Sequence, residues 1–206
     1  MDQKNSSLPQ PLGPLTRIEA YQILTKYVKA PNLIKHCLAA EAVMKALYRY
    51  IYKNTPQYAQ DEEETWGITG LLHDADYEMS KGRPEVHGLL LFEKEPRNIP
   101  PDITYAIKAH NFEKTLILPK SKLDWSIACC DQLTGLIVAA ALIHPDKKLA
   151  PLTPEFILKR YNEKTFARGA DRTSIQRCEE KLQIKLLEFI TINLSAMQTI
   201  SNELGL

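Results

Sequence analysis

A chain of 206 residues, of which 44% are hydrophobic and 25% charged, has the size and composition of one ordinary globular domain. Its 26 Lys and Arg residues nearly balance its 25 Asp and Glu residues, which argues against nucleic acid or an anionic membrane as the main partner. The longest apolar run, residues 133–143, is far shorter than the roughly 20 residues of a membrane span, so a cytoplasmic protein without a signal peptide is expected.

The four cysteines have neither metal-binding CxxC spacing nor the density of a disulfide framework; they are Cys37, Cys129, Cys130 and Cys178. Reduced thiols that pack as small hydrophobic side chains are expected in a cytosolic protein. Residues 1–14 are polar and contain three prolines, which predicts a flexible N-terminal tail. The domain itself is expected to cover residues 15–206.

Helix signals follow this tail in chain order. Thr16 and Glu19 have the spacing of a capping box and predict the start of a first helix. Asn32 is expected to cap a second helix that continues to about residue 53 with one broad apolar face. After a polar, acidic connector, Thr65 is expected to cap a short third helix over residues 66–73.

Prolines mark the next two helices, since proline suits the first turn of a helix. Pro84 predicts a fourth helix that ends before Pro96. Pro101 predicts a fifth helix that ends near Asn111.

The sixth predicted helix is the most apolar. Ser121 with Asp124 has the spacing of a capping box, and the segment that follows to about residue 143 is apolar on nearly all sides. We therefore expect this helix in the centre of the fold.

The remaining signals are also helical. Thr153 and Asp171 are expected to cap two further helices, and residues 186–204 form an amphipathic segment closed by Gly205. Internal repeats and strand-like alternation are not found in the sequence. The sequence thus predicts an all-α, single-domain helical bundle.

Asp131 is the most informative single residue, because it lies within the apolar sixth helix. An unpaired buried carboxylate would cost several kcal/mol, so its side chain is expected to pair with a cation or to bind a metal ion. A structural aspartate paired with lysine or arginine explains Asp131 equally well when that residue is considered alone.

Two other positions carry metal-binding residue types. His73 and Asp74 stand at the predicted end of a helix, where both side chains can converge on one ion. His36 lies four residues before Ala40 and seven before Val43, so it faces the apolar side of its helix. A single inward histidine is more often a hydrogen-bonded core residue than a metal ligand.

The other three histidines are of two kinds. His87 stands in the first turn of its predicted helix, and His110 lies three residues after Ile107 on an apolar helical face. His144 follows the sixth helix and precedes Pro145, where it complements the helix dipole, so it is expected outside any site.

Four histidines and two aspartates thus occupy inward or helix-end positions, and shared metal ions explain them better than six separate structural roles. Imidazole nitrogens with carboxylate oxygens suit Mn, Fe, Co, Ni or Zn. One tetrahedral ion would leave ligands unused, whereas two ions about 3.5–4 Å apart would use all of them. The predicted ligands are His36, His73, Asp74, His87, His110 and Asp131.

The order H…HD…H…H…D over residues 31–143 resembles the HD superfamily of metal-dependent phosphohydrolases. The superfamily signature implies metal ligands at His36, His73, Asp74 and Asp131. The two other histidines resemble those of the binuclear branch, which includes HD-GYP phosphodiesterases. In that branch they would serve a second ion, with the aspartate of the HD pair as the bridge.

A wider resemblance, to a subgroup of small predicted HD hydrolases, implies an HD domain with a C-terminal helical extension. It is carried by LLHDADYE at 71–78, DQLTGLIVA at 131–139 and HPDKK at 144–148. HD-GYP-like sequences read HDIGK where this chain reads HDADY, and a GYP motif is missing, which argues against cleavage of cyclic di-GMP. The candidate phosphate-binding cations are Lys81, Arg83 and Lys108.

The predicted function is hydrolysis of a phosphomonoester or phosphodiester of a nucleotide-like small molecule. The resemblance implies one or two divalent ions that acidify a water and hold the phosphate. Asp74 would bridge the ions, and Asp76 would act as a proton shuttle or as the acceptor of a ligand histidine. Two alternatives stay open: a di-iron HD-type oxygenase with the same ligands, and a non-catalytic regulatory domain that keeps the metal as a clamp.

Overall fold

The computed structural model describes residues 14–56 and 58–206, and every regular element in those ranges is helical. The predicted all-α class is confirmed. The predicted tail, residues 1–14, lies outside the described residues except for Pro14, which is exposed. The helices are α1 Arg17–Tyr27, α2 Pro31–Tyr52, α3 Gln60–Leu72, α4 Leu90–Lys94, α5 Pro101–His110, α6 Phe112–Thr115, α7 Lys122–Ile143, α8 Pro154–Asn162, α9 Arg172–Arg177, α10 Leu186–Thr199 and α11 Ser201–Leu204.

Four helices, α1, α7, α8 and α9, begin at the side-chain caps that the sequence predicts, which are Thr16, Ser121, Thr153 and Asp171. The Thr16 hydroxyl accepts from the backbone N–H of Glu19, whose carboxylate accepts from the N–H of Thr16 in return. Ser121 and Asp124 form the same reciprocal pair at the start of α7. Thr153 caps α8. Each such cap satisfies otherwise unpaired backbone donors and contributes about 1 kcal/mol.

Two predicted helix starts are wrong. Helix α2 begins at Pro31 with Ala30 at the cap position, two residues earlier than predicted, so Asn32 is not the cap. Helix α3 begins at Gln60, and Thr65 lies inside it with its hydroxyl bonded to the Asp61 carbonyl at 3.1 Å. The acidic end of the predicted connector, Asp61–Glu63, lies in the first turn of α3, where negative charge is favourable at the positive end of the helix dipole.

Two predicted helices are interrupted. The fourth is a 3₁₀ turn, Pro84–Val86, followed by the short α4, because Gly88 between them has a φ of +86°, which an α-helix cannot accommodate. A Cβ atom at Gly88 would lie 2.8 Å from the carbonyl oxygen of Ile107. The last predicted helix breaks at Ile200 into α10 and α11.

Helix α7 runs through the centre of the fold, as predicted, and packs against α2, α5, α8, α9 and α10. It is long and apolar enough to cross a membrane by length and composition, but 61% of its most apolar 18-residue window is buried inside the fold. Such burial is typical of the core helix of a globular domain. Gly135 lies in the middle of α7, where glycine costs about 1 kcal/mol relative to alanine.

A close contact between α2 and α3 brings two of the predicted metal ligands, His36 and His73, together. A Cβ atom at Gly70 would lie 2.6 Å from the backbone carbonyl of Ala40, so only glycine permits the two helices to approach this far. His36 lies one turn before Ala40, and His73 lies one turn after Gly70. Their rings consequently face each other across the helix contact, with centroids 5.0 Å apart.

Candidate metal centre

Four imidazole rings and two carboxylates converge between the helices. His36 comes from α2, His110 ends α5 and Asp131 lies in the middle of α7, while His73 and Asp74 follow the last residue of α3. His87 lies just after the 3₁₀ turn. Although His36 and Asp131 are 95 positions apart in the chain, the His36 Nε2 and Asp131 Oδ1 atoms are separated by 3.0 Å.

The first half of the cluster contains His36, His73, Asp74 and Asp131. The Nε2 atoms of His36 and His73 are 3.2 Å apart. Asp131 Oδ1 lies 3.5 Å from His73 Nε2, and Asp74 Oδ2 lies 3.5 Å from His36 Nε2. His73, Asp74 and His36 together could hold one metal ion.

The second half shares one carboxylate with the first. Asp74 Oδ1 is 3.0 Å from His87 Nε2 and 3.8 Å from His110 Nε2. The two ring nitrogens are themselves 3.1 Å apart. These three residues could hold a second ion, so Asp74 belongs to both candidate sites.

The outer nitrogen of each ring has a partner that orients the inner one. His73 Nδ1 bonds to the Gly70 carbonyl at 2.8 Å, and His110 Nδ1 bonds to the Ile107 carbonyl at 2.5 Å. A carbonyl only accepts, so each Nδ1 carries a proton and each Nε2 is the nitrogen available to a ligand. This arrangement is typical of metal-binding histidines.

The spacing of the inner nitrogens fits a shared cation. Two ligands of one tetrahedral ion, each about 2.1 Å from it, lie roughly 3.4 Å apart. The two Nε2 pairs, at 3.2 Å and 3.1 Å, match this separation. Nitrogen lone pairs facing each other at such distances repel unless a proton or a metal ion stands between them. The donor set, imidazole with carboxylate, suits Mn, Fe, Co, Ni or Zn.

Both carboxylates are held ionised. Burial alone would raise the pKa of Asp131, but hydrogen bonds from His36 and His73 hold that pKa well below its ordinary value. Burial also opposes ionisation of Asp74, and the charge on His73 with the hydrogen bond from His87 still lowers the pKa of Asp74. The centre therefore presents two negative charges to a cation.

The histidines differ in how readily they release a proton. Burial disfavours the charged ring of His73, yet the carboxylates of Asp74 and Asp131 raise its pKa to about 9. Burial acts the same way on His87, and hydrogen bonds to two carboxylates raise its pKa to about 10. Burial and the nearby charged rings lower the pKa of His110 to about 4. At neutral pH, protons therefore occupy positions where metal ions would bind.

We expect metal binding to release protons from His73 and His87, because a metal ion binds only the neutral imidazole. The apparent affinity should therefore rise with pH across the neutral range, by up to about tenfold per pH unit for each proton released. Calorimetric titration of Mn²⁺ in buffers of different ionisation enthalpy measures the proton count. An affinity that stays constant with pH and a zero proton count would contradict this assignment.

Asp76 supports the centre from behind. The residue is 1% exposed, and its Oδ1 atom lies 2.8 Å from His87 Nδ1. Its two oxygens also accept from the backbone N–H groups of Gly88 and Leu91, at distances from 2.9 to 3.3 Å. Of the two roles predicted for Asp76, this geometry favours the acceptor that orients a ligand histidine.

Replacing Asp76 with Asn should lower metal affinity at the His87 side by about 10- to 100-fold, since the amide orients the ring less strongly. Competition with a fluorescent chelator measures this affinity. The matched control is Asp102→Asn, which removes an exposed carboxylate from the first turn of α5. Equal metal affinities for the two variants would contradict the role of Asp76 in positioning the His87 ring.

A cavity of about 890 Å³ opens from the cluster, and His36, Asp74 and His87 form part of its wall. Lys81 also lines this cavity. The other two candidate phosphate ligands do not line this cavity. Arg83 is exposed and donates to the Met79 carbonyl. Lys108 lies over the Phe92 ring and lines a separate cavity.

His144 lies outside the cluster, as the sequence predicts. Its Nδ1 atom is 3.7 Å from the exposed carboxylate of Asp146, and its ring contacts that of Phe156.

Two polar residues of the centre were missed in the sequence. Thr134 accepts from His36 Nδ1 at 3.3 Å and donates to the Asp131 carbonyl. Gln132 donates to Asp131 Oδ2 at 2.8 Å and accepts the backbone N–H of Asp171. Both lie within three residues of Asp131, and this proximity was the one available signal.

Comparison of the chain with protein-family models, with curated proteins and with solved structures gives no match. The function is therefore inferred from the side chains of the candidate metal centre and from the cavity beside it.

Proposed function

We propose that this protein is a metal-dependent phosphohydrolase of the HD type that cleaves a phosphoester of a small, nucleotide-like molecule. The observation that carries the proposal is the position of Asp74, whose Oδ1 atom lies 3.0 Å from His87 Nε2 and 3.6 Å from His73 Nε2. One buried carboxylate shared by two histidine groups is the arrangement that a two-ion phosphoryl-transfer site needs.

The residues divide between the two ions in this proposal. His36, His73 and Asp131 would hold one ion, His87 and His110 would hold the other, and Asp74 would belong to both. Bound divalent ions supply Lewis acidity for the phosphate oxygens and lower the pKa of a water toward neutrality.

The protein's own groups bind and orient the substrate. Lys81 supplies positive charge to the wall of the cavity that Asp74 and His87 also line. Asp76 keeps the His87 ring in one orientation, and Thr134 does the same for His36. Because these rings are fixed before substrate binds, little reorganisation is needed at the moment of reaction.

The test is a phosphoester panel with purified protein reconstituted with Mn²⁺, Fe²⁺, Co²⁺, Ni²⁺ or Zn²⁺. The panel contains nucleoside mono-, di- and cyclic phosphates and sugar phosphates, and phosphate release is measured. Release that depends on metal and stops with a chelator supports the proposal. An inactive metal-loaded protein that consumes oxygen would indicate the di-iron oxygenase, and one inactive in both assays would indicate the regulatory domain.

Lys81→Ala should raise KM by roughly tenfold while changing kcat less, if the side chain binds substrate phosphate equally in the ground and transition states. Arg83→Ala is a matched control, because that guanidinium is bonded to the Met79 carbonyl instead of lining the cavity wall. Steady-state kinetics on the best substrate of the panel measure both constants. Similar KM values for the two variants would contradict the role of Lys81.

A further inference from the structure

A second cavity begins at His36 and leads away from the candidate metal centre. It has a volume of about 460 Å³, and we call it the aliphatic groove. His36 and Asn32 line both the groove and the larger cavity, so the same candidate metal-binding ring borders both spaces. Besides these two residues and the glycines Gly135 and Gly205, the groove is lined by Lys35, Val138, Leu142, Leu204 and Leu206.

The groove follows one face of α7. Asp131, Gly135, Val138 and Leu142 are spaced by three or four residues, so they lie on the same side of the helix. This face starts at a carboxylate of the candidate metal centre, continues through Gly135 and becomes aliphatic at Val138, about two turns after Asp131. Leu142 is 53% exposed, although the helix is otherwise largely buried.

Gly135 keeps the groove open beside the metal centre. Glycine is among the least favourable residues inside a helix, yet packing does not require it here, since an added Cβ atom would meet nothing within 4 Å. Gly70 differs in this respect, because a Cβ atom there would collide with the backbone of Ala40. Gly135 lines both the groove and a neighbouring cavity of about 350 Å³ that His36 and Asp131 also line, and it lies one helical turn from Asp131.

We propose that the aliphatic groove binds an apolar group of the substrate whose phosphoester is held at the metal centre. This inference rests on the proposed function. The occupant is apolar because Val138, Leu142 and Leu204 line the groove. We assign the occupant to the substrate itself because the His36 ring lines both the groove and the larger cavity. The larger cavity then takes the polar, nucleotide-like part, so the substrate class is a nucleotide-like phosphoester with an extended apolar group.

The test uses n-alkylphosphonates from methyl to octyl, whose phosphorus–carbon bond is not hydrolysed. Their binding to the Mn²⁺-loaded protein is measured by calorimetry. The affinity of the natural protein should rise with chain length, by up to about fourfold for each methylene that is buried. Gly135→Leu fills the groove, so in this variant the rise should disappear, and Gly135→Ala should reduce it.

Lys159→Leu is the matched control, because it adds a leucine at an exposed position of α8 outside the groove and should keep the rise. Thermal unfolding checks that each variant is folded. Affinities that do not depend on chain length, or a rise that persists in Gly135→Leu, would overturn the proposal. The protein could also show a rise that Gly135→Leu removes and yet hydrolyse no phosphoester. That result would support the binding role of the groove and contradict the hydrolase function, so failure of one proposal can be distinguished from failure of the other.

Discussion

Asp74→Asn should reduce phosphoester turnover by on the order of a thousandfold or more, because a metal ion contributes several kcal/mol to such reactions. Asp74 belongs to both candidate ion sites. The amide keeps the size of the side chain but removes the charge that, in the proposed function, would stabilise a cation and set the distance between two ions. Phosphate release at saturating metal measures the loss.

The matched control for this variant is Asp146→Asn, which removes a carboxylate from the His144 pair outside the cluster. It should leave turnover within about twofold of the natural protein. Asp74→Glu keeps the charge but displaces it, and should also be strongly impaired. Near-ultraviolet circular dichroism checks the fold of each variant. Turnover of Asp74→Asn within tenfold of the natural protein would exclude a bridging role.

His110→Ala should leave one ion bound and should lower turnover by at least about a hundredfold. His110 belongs to the second candidate ion site together with Asp74 and His87, whereas the first candidate site keeps its four residues. Elemental analysis after reconstitution gives the number of ions per chain, and phosphate release gives the activity.

His144→Ala serves as the control for His110→Ala, because its ring contacts Phe156 and Asp146 instead of the cluster. Its metal content and turnover should match those of the natural protein. A His110→Ala protein that still holds two ions would contradict the binuclear interpretation. The loss of both ions would indicate that the two sites are one cooperative unit.

Much of the fold was predictable because its signals are local. The capping boxes at Thr16 and Ser121 depend on residues three positions apart, and both helices begin where they were expected. The all-apolar character of α7 correctly placed it in the centre. Local rules also explain the errors, since Thr65 has the residue type of a cap but lies within a helix whose first turn is acidic.

The breaks in helices were less predictable because they depend on distant contacts. Gly88 adopts its positive φ where its backbone approaches the Ile107 carbonyl, nearly twenty residues later. In the sequence, Pro84 and Pro96 bound this segment and predict one uninterrupted helix. The interruption matters for the site, because it allows His87 to direct its Nδ1 atom to Asp76 and its Nε2 atom to Asp74.

The six side chains of the candidate centre were predicted from their residue types and from their inward or helix-end positions. The residues that hydrogen-bond to these side chains were harder to predict. Gln132 and Thr134 can be recognised as partners only when the orientations of the Asp131 and His36 side chains are known. The aliphatic groove was also missed, since Gly135 in the sequence has no property that distinguishes a packing glycine from one that leaves space. Only the surrounding atoms make that distinction.

The central claim is that these six side chains bind divalent transition-metal ions. Its most direct test is anomalous X-ray scattering from crystals grown with Mn²⁺. We predict two anomalous peaks about 3.5–4 Å apart, one beside the Nε2 atoms of His36 and His73 and the other beside those of His87 and His110, with Asp74 between them. A fully loaded crystal whose anomalous peaks all lie away from these residues would contradict the claim.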